Sequence, residues 1–163
     1  KGLSDTDALT GLFNRRAFQA AVDETLLKRI AGVFIFIDVD NFKDYNDKYG
    51  HANGDLCLKH FAATMKKCFP KDSILGRYGG DEFVVYIKNA ASDDAHRYMD
   101  EFQREISHLM MSGGEHVTVS ASAGGVAFIG EGEDFVSLCR SADNMLYDVK
   151  RNGKGTFKMK GAK

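Results

Sequence analysis

The chain has 163 residues, which at roughly 150 residues per domain predicts a single folded domain. Hydrophobic residues make up 44% and charged residues 28%, a balance typical of globular proteins and not of disordered ones. With 22 Lys and Arg against 23 Asp and Glu the net charge is −1, so no overall positive charge attracts nucleic acid or anionic lipid. No uninterrupted apolar run exceeds Val33 to Ile37, well short of the roughly 18 residues of a membrane span. We therefore expect neither a nucleic-acid partner nor direct membrane contact.

Three cysteines, Cys57, Cys68 and Cys139, lie far apart within apolar segments. An odd number at irregular spacing predicts free thiols and not a disulfide framework or a zinc site. Free thiols and the lack of a signal-like N-terminus indicate a cytoplasmic location. Because the sequence begins without Met and directly on a motif, we expect a piece of a longer protein, one that a segment elsewhere could anchor to a membrane.

The first half of the chain reads as a helix, a strand and two further helices. Apolar residues recur every fourth position from Phe18 to Ile30 after Asn14, a plausible N-cap. The run from Val33 to Ile37 predicts a buried strand that ends in acidic residues. Two helices follow, listed here with their boundary signals: Phe42 to Tyr49 ending at Gly50, and Leu58 to Cys68 after Asn53 with Pro70 closing it.

The second half contains a hairpin, two helices and further strands. The hairpin strands, Ser73 to Tyr78 and Phe83 to Lys88, flank two glycines that permit a tight turn. The later elements are a helix from Ala95 to Leu109, strands at Val117 to Ser122 and Gly125 to Phe128, a helix from Phe135 to Val149, and an edge strand at Thr156 to Met159. This order indicates an α+β fold in which helices cover a sheet.

Four acids follow strand ends: Asp38 and Asp40 after the first buried strand, and Asp81 and Glu82 at the hairpin tip. If these strands are neighbours, four carboxylates converge and need a cation. Mg²⁺ that also binds substrate phosphates suits such a group, so the pattern predicts metal-assisted phosphoryl or nucleotidyl transfer. From spacing alone, solvated strand ends are an equally good interpretation.

Two other motif classes do not fit the sequence. A calcium loop started at Asp38 has Phe42 at its fifth position, and one started at Asp44 has Lys48 there. The glycines at positions 76, 79 and 80 lack the spacing of a dinucleotide-binding loop.

Several segments together resemble the GGDEF family, the diguanylate cyclases. Gly79-Gly80-Asp81-Glu82-Phe83 resembles the family's signature. The other matching segments are Asp7 to Arg16, Phe36 to Lys43, Asn46 to Asp55, and Ala142 to Tyr147 with Lys150 and Gly153. They span residues 5–157 in the family's order. The resemblance implies a palm-like nucleotidyl cyclase fold with a central, mostly antiparallel sheet flanked by helices and the GGDEF hairpin at the active site.

The resemblance also implies a reaction and a set of site residues. Two GTP molecules would be joined into cyclic di-GMP by a homodimer of such domains, each binding one GTP and using Mg²⁺ or Mn²⁺. The implied metal ligands are Asp38, Asp81 and the backbone carbonyl of Val39. The implied catalytic residues are Asp81 as candidate general base, Lys43 as a stabiliser of charge on the transferring phosphate, and Glu82 as support for a second metal or for the hairpin. The implied substrate-binding residues are Asn46, Asp55, Phe42, Lys150, Lys154 and Gly80.

The base preference has a physical reason. Guanine presents two adjacent donors, and the ionised carboxylate of Asp55, which matches the family's guanine-binding Asp beside Asn46, accepts both. Adenine lacks that donor pair, a mismatch that can discriminate by roughly 10⁴. Asp7 and Arg15, in the opening motif, are expected to fix the N-terminal turn as an ion pair.

The sequence departs from the family pattern at two places. Where many members have an inhibitory R-x-x-D motif that binds product, this chain has Pro70 and Ser73, so we expect the primary inhibitory site to be lost. Where the family has a phosphate-binding Arg followed by Asn, it has Lys154 and Gly155, which keeps the charge but not the bidentate fork.

Three functions remain open on the sequence. The first is an active diguanylate cyclase domain in a longer sensor protein, whose upstream sensory or dimerisation domain sets its activity. The second is a catalytically weak GTP-binding or protein-interaction module, which the change at Lys154 and Gly155 favours. The third is a nucleotidyl transferase for another base, which Asp55 disfavours.

Overall fold

The structure, a computed structural model, describes residues 4–111 and 113–161. The helices there are α1 (Arg15–Leu27), α2 (Phe42–Tyr49), α3 (His51–Cys68), α4 (Ser92–Ile106) and α5 (Phe135–Arg151). The strands are β1 (Gly32–Val39), β2 (Ile74–Arg77), β3 (Glu82–Lys88), β4 (His108–Met110), β5 (His116–Thr118), β6 (Ala121–Phe128) and β7 (Phe157–Met159). Within these described ranges, no helix has the length and apolar character needed to cross a membrane.

Five strands form the central sheet in the order β2-β3-β1-β6-β7. All neighbours are antiparallel except β6 and β7, which are parallel. Strand β1 lies in the middle, between the hairpin strand β3 and β6. The expectation of an α+β fold with a mostly antiparallel sheet covered by helices is confirmed.

Strand β1 is buried on both faces because helices cover both sides of the sheet. Val33, Ile35, Ile37 and Val39 belong to the core shared with α3 and α4, whereas Phe34 belongs to the core shared with α1 and α5. This two-residue alternation explains why the strand reads as an unbroken apolar run. It also directs Asp38 toward the face covered by α1 and α5.

Helix α5 packs directly on the backbone of β6. A Cβ atom added at Gly124 would lie 2.3 Å from the backbone nitrogen of Leu146 and 2.4 Å from the carbonyl oxygen of Ala142. Only glycine permits this approach. The close contact fixes the end of α5, where Lys150 lies, relative to the ends of β6 and β1.

Two helix boundaries differ from the sequence prediction. Helix α1 ends at Leu27, and Arg29 takes a left-handed φ of 60°, so Ile30 lies beyond the helix. Helix α3 begins at His51 and not after Asn53, because Gly50, with φ of 90°, is at once the end of α2 and the start of α3. The predicted stop at Gly50 is confirmed.

The region after α4 also differs from the prediction. Helix α4 ends at Ile106, and Leu109 pairs with Val117 in a separate two-stranded sheet of β4 and β5. The strand predicted at Val117 to Ser122 is therefore divided between two sheets, and β6 runs without interruption from Ala121 to Phe128. Leu109 misled the prediction because it lies three positions after Ile106, where a helical stripe would continue.

Candidate active site

Pairing of β1 with β3 brings the acidic strand ends together. Asp38 lies opposite Glu82 in the antiparallel register. One residue further on, the backbone N–H of Val39 donates to the carbonyl oxygen of Asp81 over 3.1 Å. The expectation that β1 and the hairpin are neighbours in the sheet is confirmed.

The hairpin turn does not use the conformational freedom of its glycines, since neither Gly79 nor Gly80 has a left-handed φ.

Arg77 holds the hairpin tip, a role that the sequence analysis missed. Its guanidinium donates to the carbonyl oxygens of Gly79 at 3.1 Å and Gly80 at 2.7 Å. The same group forms an ion pair with Asp7 at 3.2 Å. The expected pair of Asp7 with Arg15 is wrong: 70 residues separate Asp7 from Arg77, and sequence spacing carries no sign of so distant a contact. Although burial opposes ionisation, hydrogen bonds from Thr10 and the charge of Arg77 lower the pKa of Asp7.

Arg15 lies instead over the ring of Tyr78, with its guanidinium carbon 4.2 Å from the ring centroid. Both residues line a cavity of about 310 Å³ on the α1 and α5 side of the hairpin, together with Asp38 and Glu82. Glu82 is exposed there. Cys139 lines the same cavity as a free, half-buried thiol, and Cys57 and Cys68 are free and buried, as the sequence predicts.

Asp38 is a buried carboxylate, and its side chain is only 7% exposed. Lys150 of α5 donates a hydrogen bond to it and forms its ion pair. Burial raises the pKa of Asp38 to about 6, with Lys150 opposing the shift and Glu82 and Asp81 adding to it. Burial alone would lower the pKa of Lys150, but the hydrogen bond and charge of Asp38 raise it.

Asp40 does not join the other acids in a four-carboxylate cluster. Its two oxygens accept hydrogen bonds from the hydroxyls of Ser120 at 2.6 Å and Ser122 at 2.5 Å. Across the described residues, no three His, Cys, Asp or Glu side chains are grouped so that they could hold a metal ion. The convergence of four carboxylates expected from the sequence is therefore wrong, because Ser120, just before β6, and Ser122, within it, bind one of them.

A second cavity of about 310 Å³ lies at the carboxyl end of β1. The expected site residues that line it are Asp38, Val39, Phe42, Lys43, Asp81, Lys150 and Lys154. Lys154 donates to Asn41 Oδ1 over 2.9 Å, and Lys43, highly exposed, lies 3.4 Å from Asp47. The fold thus brings together, at one opening, acids from two strand ends and three lysines. Lys43 comes from α2, Lys150 from the end of α5 and Lys154 from the loop after α5.

The donors at this opening fit a magnesium ion that the protein holds only in part. Asp38 and Asp81 offer carboxylate oxygens, and Val39 between them in the same cavity offers a carbonyl. Mg²⁺ prefers hard oxygen ligands and is commonly held by one or two carboxylates, with phosphates and water completing its octahedron. The small number of protein ligands therefore suits Mg²⁺ better than a zinc or calcium cage.

The junction of α2 and α3 contains an unsatisfied polar atom. Among the described residues, the buried Asn46 Oδ1 has no hydrogen-bond partner. A Cβ atom at Gly54 would lie 1.8 Å from this oxygen, so any larger residue there would displace the Asn46 side chain. Asp55 follows Gly54 and is exposed. A buried acceptor without a donor is costly, so Asn46 Oδ1 is a candidate acceptor for a donor on a bound molecule.

Three of the expected substrate-binding residues, Gly80, Asn46 and Asp55, do not line the cavity at the end of β1. Gly80 is exposed, and a Cβ atom there would meet nothing within 4 Å. The structure therefore places the expected substrate-binding residues in three adjoining parts: the hairpin tip, the cavity and the α2–α3 junction.

A family model described as "Diguanylate cyclase, GGDEF domain" matches residues 4–156. The chain is 34% identical to the response regulator PleD of Caulobacter vibrioides, over 98% of this chain and 37% of that protein. It is 33% identical to the cyclic di-GMP phosphodiesterase PdeR of Escherichia coli, over 95% of this chain and 24% of that protein. The chain thus spans well under half of the length of these two relatives.

Solved structures resemble the fold along nearly the whole chain. The GGDEF domain of PA1120 (TpbB or YfiN) from Pseudomonas aeruginosa aligns with a TM-score of 0.89 at 30% identity, covering 94% of this chain and 93% of that one. The GGDEF domain of DgcB from Caulobacter crescentus, in complex with c-di-GMP, aligns with a TM-score of 0.88 at 28% identity, covering 98% of this chain and 94% of that one.

Proposed function

The chain belongs to the family of diguanylate cyclase, GGDEF domains, and from this premise we propose that it condenses two GTP molecules into cyclic di-GMP and two pyrophosphates. We take residues 1–163 as a single such domain of a longer sensor protein. The observation that carries the proposal is the cavity at the end of β1, where Asp38, Val39 and Asp81 face Lys150 and Lys154. Acids that hold a cation and lysines that bind phosphate are the parts that nucleotidyl transfer needs.

In this proposal Asp38, Asp81 and the Val39 carbonyl hold Mg²⁺, or Mn²⁺ in its place, and the bound ion neutralises charge on the phosphates. Glu82, exposed opposite Asp38, supports the hairpin and a second ion. Arg77 keeps Asp81 in position because it holds the carbonyl oxygens of the two preceding glycines.

The reaction forms one bond and breaks one bond at each phosphate. The 3′-hydroxyl of one GTP attacks the α-phosphorus of the other, the bond between the α- and β-phosphates breaks, and pyrophosphate leaves. Asp81 takes the proton of the attacking hydroxyl. Lys43 stabilises charge on the transferring phosphate, while Lys150 and Lys154 bind the terminal phosphates. Two such steps, one from each GTP, close the ring.

Guanine is bound at the α2–α3 junction. The buried Asn46 Oδ1, which has no partner in the described structure, accepts a hydrogen bond from the base. The exposed Asp55 carboxylate accepts the two adjacent donors of guanine. Phe42, half-buried between this junction and the cavity, supports the nucleotide. Gly80, open on its Cβ side, leaves room for the substrate at the hairpin.

Catalysis requires two copies of the domain. Each copy binds one GTP, and each 3′-hydroxyl must reach the other copy's α-phosphate, so a two-fold homodimer satisfies both attacks at once. An upstream sensory or dimerisation domain brings the copies together. The structure of DgcB that contains its coiled coil together with its GGDEF domain supports this expectation by analogy. The catalytic domain acts in the cytoplasm, where GTP is available.

A second candidate is a domain that binds GTP without turnover. The change of the family's Arg and Asn to Lys154 and Gly155 favours it, because Lys lacks the bidentate fork that Arg offers to phosphate. The ion pair of Lys150 with Asp38 favours it as well, since the lysine is then withheld from phosphate.

One experiment separates these functions. The full-length protein is incubated with GTP and Mg²⁺, and the products are identified by mass. Cyclic di-GMP supports the cyclase, unchanged but bound GTP supports the second candidate, and any other product overturns both. Asp81→Asn is the matched control, because it removes the charge and the base while keeping the size of the side chain.

A further inference from the structure

A directional relay of hydrogen bonds joins the end of β1 to the loop that follows α5. The Asp40 carboxylate is an acceptor only, so the Ser122 hydroxyl must donate to it, which it does over 2.5 Å. The Ser122 oxygen is then left to accept, and the backbone N–H of Gly155 donates to it over 2.9 Å. Ser122 is fully buried, so these bonds are sheltered from water.

The loop held by this relay has a backbone conformation that needs support. Lys154 has φ of 67° and Gly155 has φ of 75°, both in the left-handed region that is unfavourable for a side chain such as that of Lys. The Lys154 N–H donates to the carbonyl oxygen of Val149 in α5 over 3.0 Å. The next N–H along the chain, that of Gly155, therefore depends on Ser122.

Helix α4 also holds Gly155, through the side chain of Gln103. The Gln103 side chain of α4 donates to the carbonyl oxygen of Ala121 at 2.5 Å and lies 3.5 Å from that of Gly155. Its oxygen accepts from the N–H of Ala121 at 3.2 Å. Both backbone polar groups of Gly155 are thus engaged, and the loop has a defined place beside β6.

We infer that Asp40 is a positioning residue which, acting through Ser122, holds the loop after α5 so that Lys154 faces the cavity at the end of β1. The inference rests on the proposed function, since Lys154 matters there as a ligand of the terminal phosphates. It gives Asp40 a task other than metal binding, which explains why its two oxygens are directed at serine hydroxyls. It also gives Gly155 a task, because its N–H carries the connection.

The chain offers a matched pair of variants for the test. Ser122→Ala removes the hydroxyl that holds Gly155. Ser120→Ala removes the other hydroxyl bound to the same carboxylate, whose hydrogen bond goes to Asp40 and not to the N–H of Gly155. Both are made in the full-length protein, and thermal unfolding is measured first. Asp40→Ala is a third variant that breaks the relay from its other end if Ser122→Ala does not fold, because it removes both oxygens that accept from the serines.

Binding of two probes then separates positioning from general damage. The first is 3′-deoxy-GTP with Mg²⁺, which lacks the attacking hydroxyl and is not consumed. The second is GMP, which keeps the base and lacks the terminal phosphates. Ser122→Ala, or Asp40→Ala, is expected to lose about three- to tenfold in affinity for 3′-deoxy-GTP. Its affinity for GMP should change by less than about twofold, and Ser120→Ala should keep both affinities within about twofold. Amide hydrogen exchange at Gly155 should be faster in Ser122→Ala and in Asp40→Ala, and unchanged in Ser120→Ala.

The outcomes distinguish the inference from the proposed function. Faster exchange with selective loss of triphosphate affinity supports the positioning role. Faster exchange with an unchanged triphosphate affinity, or an equal loss for both probes, overturns it while leaving the cyclase proposal intact. If the unaltered protein binds 3′-deoxy-GTP no better than GMP, the terminal phosphates are not recognised. That result overturns the phosphate role of Lys154 and the proposed function with it.

Discussion

Lys150, near the end of α5, donates a hydrogen bond to the buried carboxylate of Asp38 at the end of β1. The ammonium thus supplies the positive charge that the buried acid needs. In the proposed function a bound metal ion would take over that task and leave Lys150 to contact phosphate. The pair therefore links two parts of the proposed site, and it makes Asp38 the residue whose removal has the clearest consequences.

Replacing Asp38 by Asn should abolish cyclic di-GMP formation without weakening the fold. The pKa of Asp38 is raised to about 6 in the folded domain, above its ordinary value of 3.8. Its ionisation therefore costs stability as the pH rises from about 3.8 through about 6, and that cost is fully present at pH 7.5. The neutral amide avoids it, so we expect the Tm of Asp38→Asn at pH 7.5 to equal or exceed that of the unaltered domain.

Thermal unfolding between pH 4 and pH 8, with product analysis at pH 7.5, checks both parts. The advantage of the variant should shrink as the pH falls toward 4. Turnover above about a tenth of the original rate would contradict a metal-binding role, which should be worth several kcal/mol. A large drop in Tm would mean instead that the ion pair with Lys150 stabilises the fold.

Asp55→Ser should weaken the preference for GTP over ATP, because it removes the acceptor for the paired donors of guanine. Asp55 is exposed, so the change should leave the Tm almost unaltered. Competition of the two nucleotides for binding is measured in both forms. Asp100→Ser, which removes an exposed acid of α4, is the control. Unchanged discrimination in Asp55→Ser would show that the base is recognised elsewhere.

Asp7→Asn should destabilise the domain at neutral pH by about 1–3 kcal/mol, the range for hydrogen bonds to a charged group. The pKa of Asp7 is lowered in the folded state. Its contribution to stability is therefore fully present above the ordinary pKa of 3.8 and is lost as the pH falls through the lower pKa of the folded state. Urea unfolding at pH 7 and at pH 3 should show a large difference between variant and parent at pH 7 and a smaller one at pH 3.

The matched control is Asp5→Asn, which breaks the exposed ion pair with Arg16. Exposed pairs contribute about 0–1 kcal/mol, so this variant should stay close to the parent at both pH values. If Asp5→Asn and Asp7→Asn cost the same, the contact of Asp7 with Arg77 does not stabilise the hairpin.

Local signals in the sequence predicted the central strand, the hairpin and the helices, because alternation and helical periodicity reflect which side chains are buried. The same signals could not place the end of α4, since Leu109 fits the helical period but pairs with Val117 as part of a strand. Local signals also could not predict contacts between residues distant in sequence, such as the ion pair of Asp7 with Arg77.

The candidate site shows the same division. Asp38 and Asp81 could be found because strand ends that meet in a sheet are foreseeable from the pattern. The hydrogen bonds of Asp40 with Ser120 and Ser122 could not be found, because they depend on which residues at the start of β6 lie beside the end of β1. Two serines at the end of the strand predicted from Val117 to Ser122 carry no such information by themselves.

The rate per protomer should rise with protein concentration until dimers saturate. In the proposed mechanism a single domain binds one GTP. Two domains are therefore needed to place each 3′-hydroxyl against the α-phosphate of the other GTP. A coiled coil fused ahead of Lys1 should raise the rate at low concentration by increasing the effective concentration of the second copy. Initial rates measured across dilutions, with sedimentation to follow dimer formation, check this. A rate per protomer that does not depend on concentration, in a protein that sediments as a monomer, would contradict the two-fold mechanism.

Added cyclic di-GMP should inhibit only weakly and in competition with GTP. The positions that carry the product-binding Arg and Asp in many family members are Pro70 and Ser73 here, and neither is charged. Pro70 offers no guanidinium for a phosphate or a guanine edge, so we expect product to compete with substrate at the proposed active site. Initial rates at several GTP concentrations, with and without product, distinguish the two modes of inhibition. A variant that combines Pro70→Arg with Ser73→Asp should gain a non-competitive component, whereas strong non-competitive inhibition of the unaltered protein would reveal a product site on another surface.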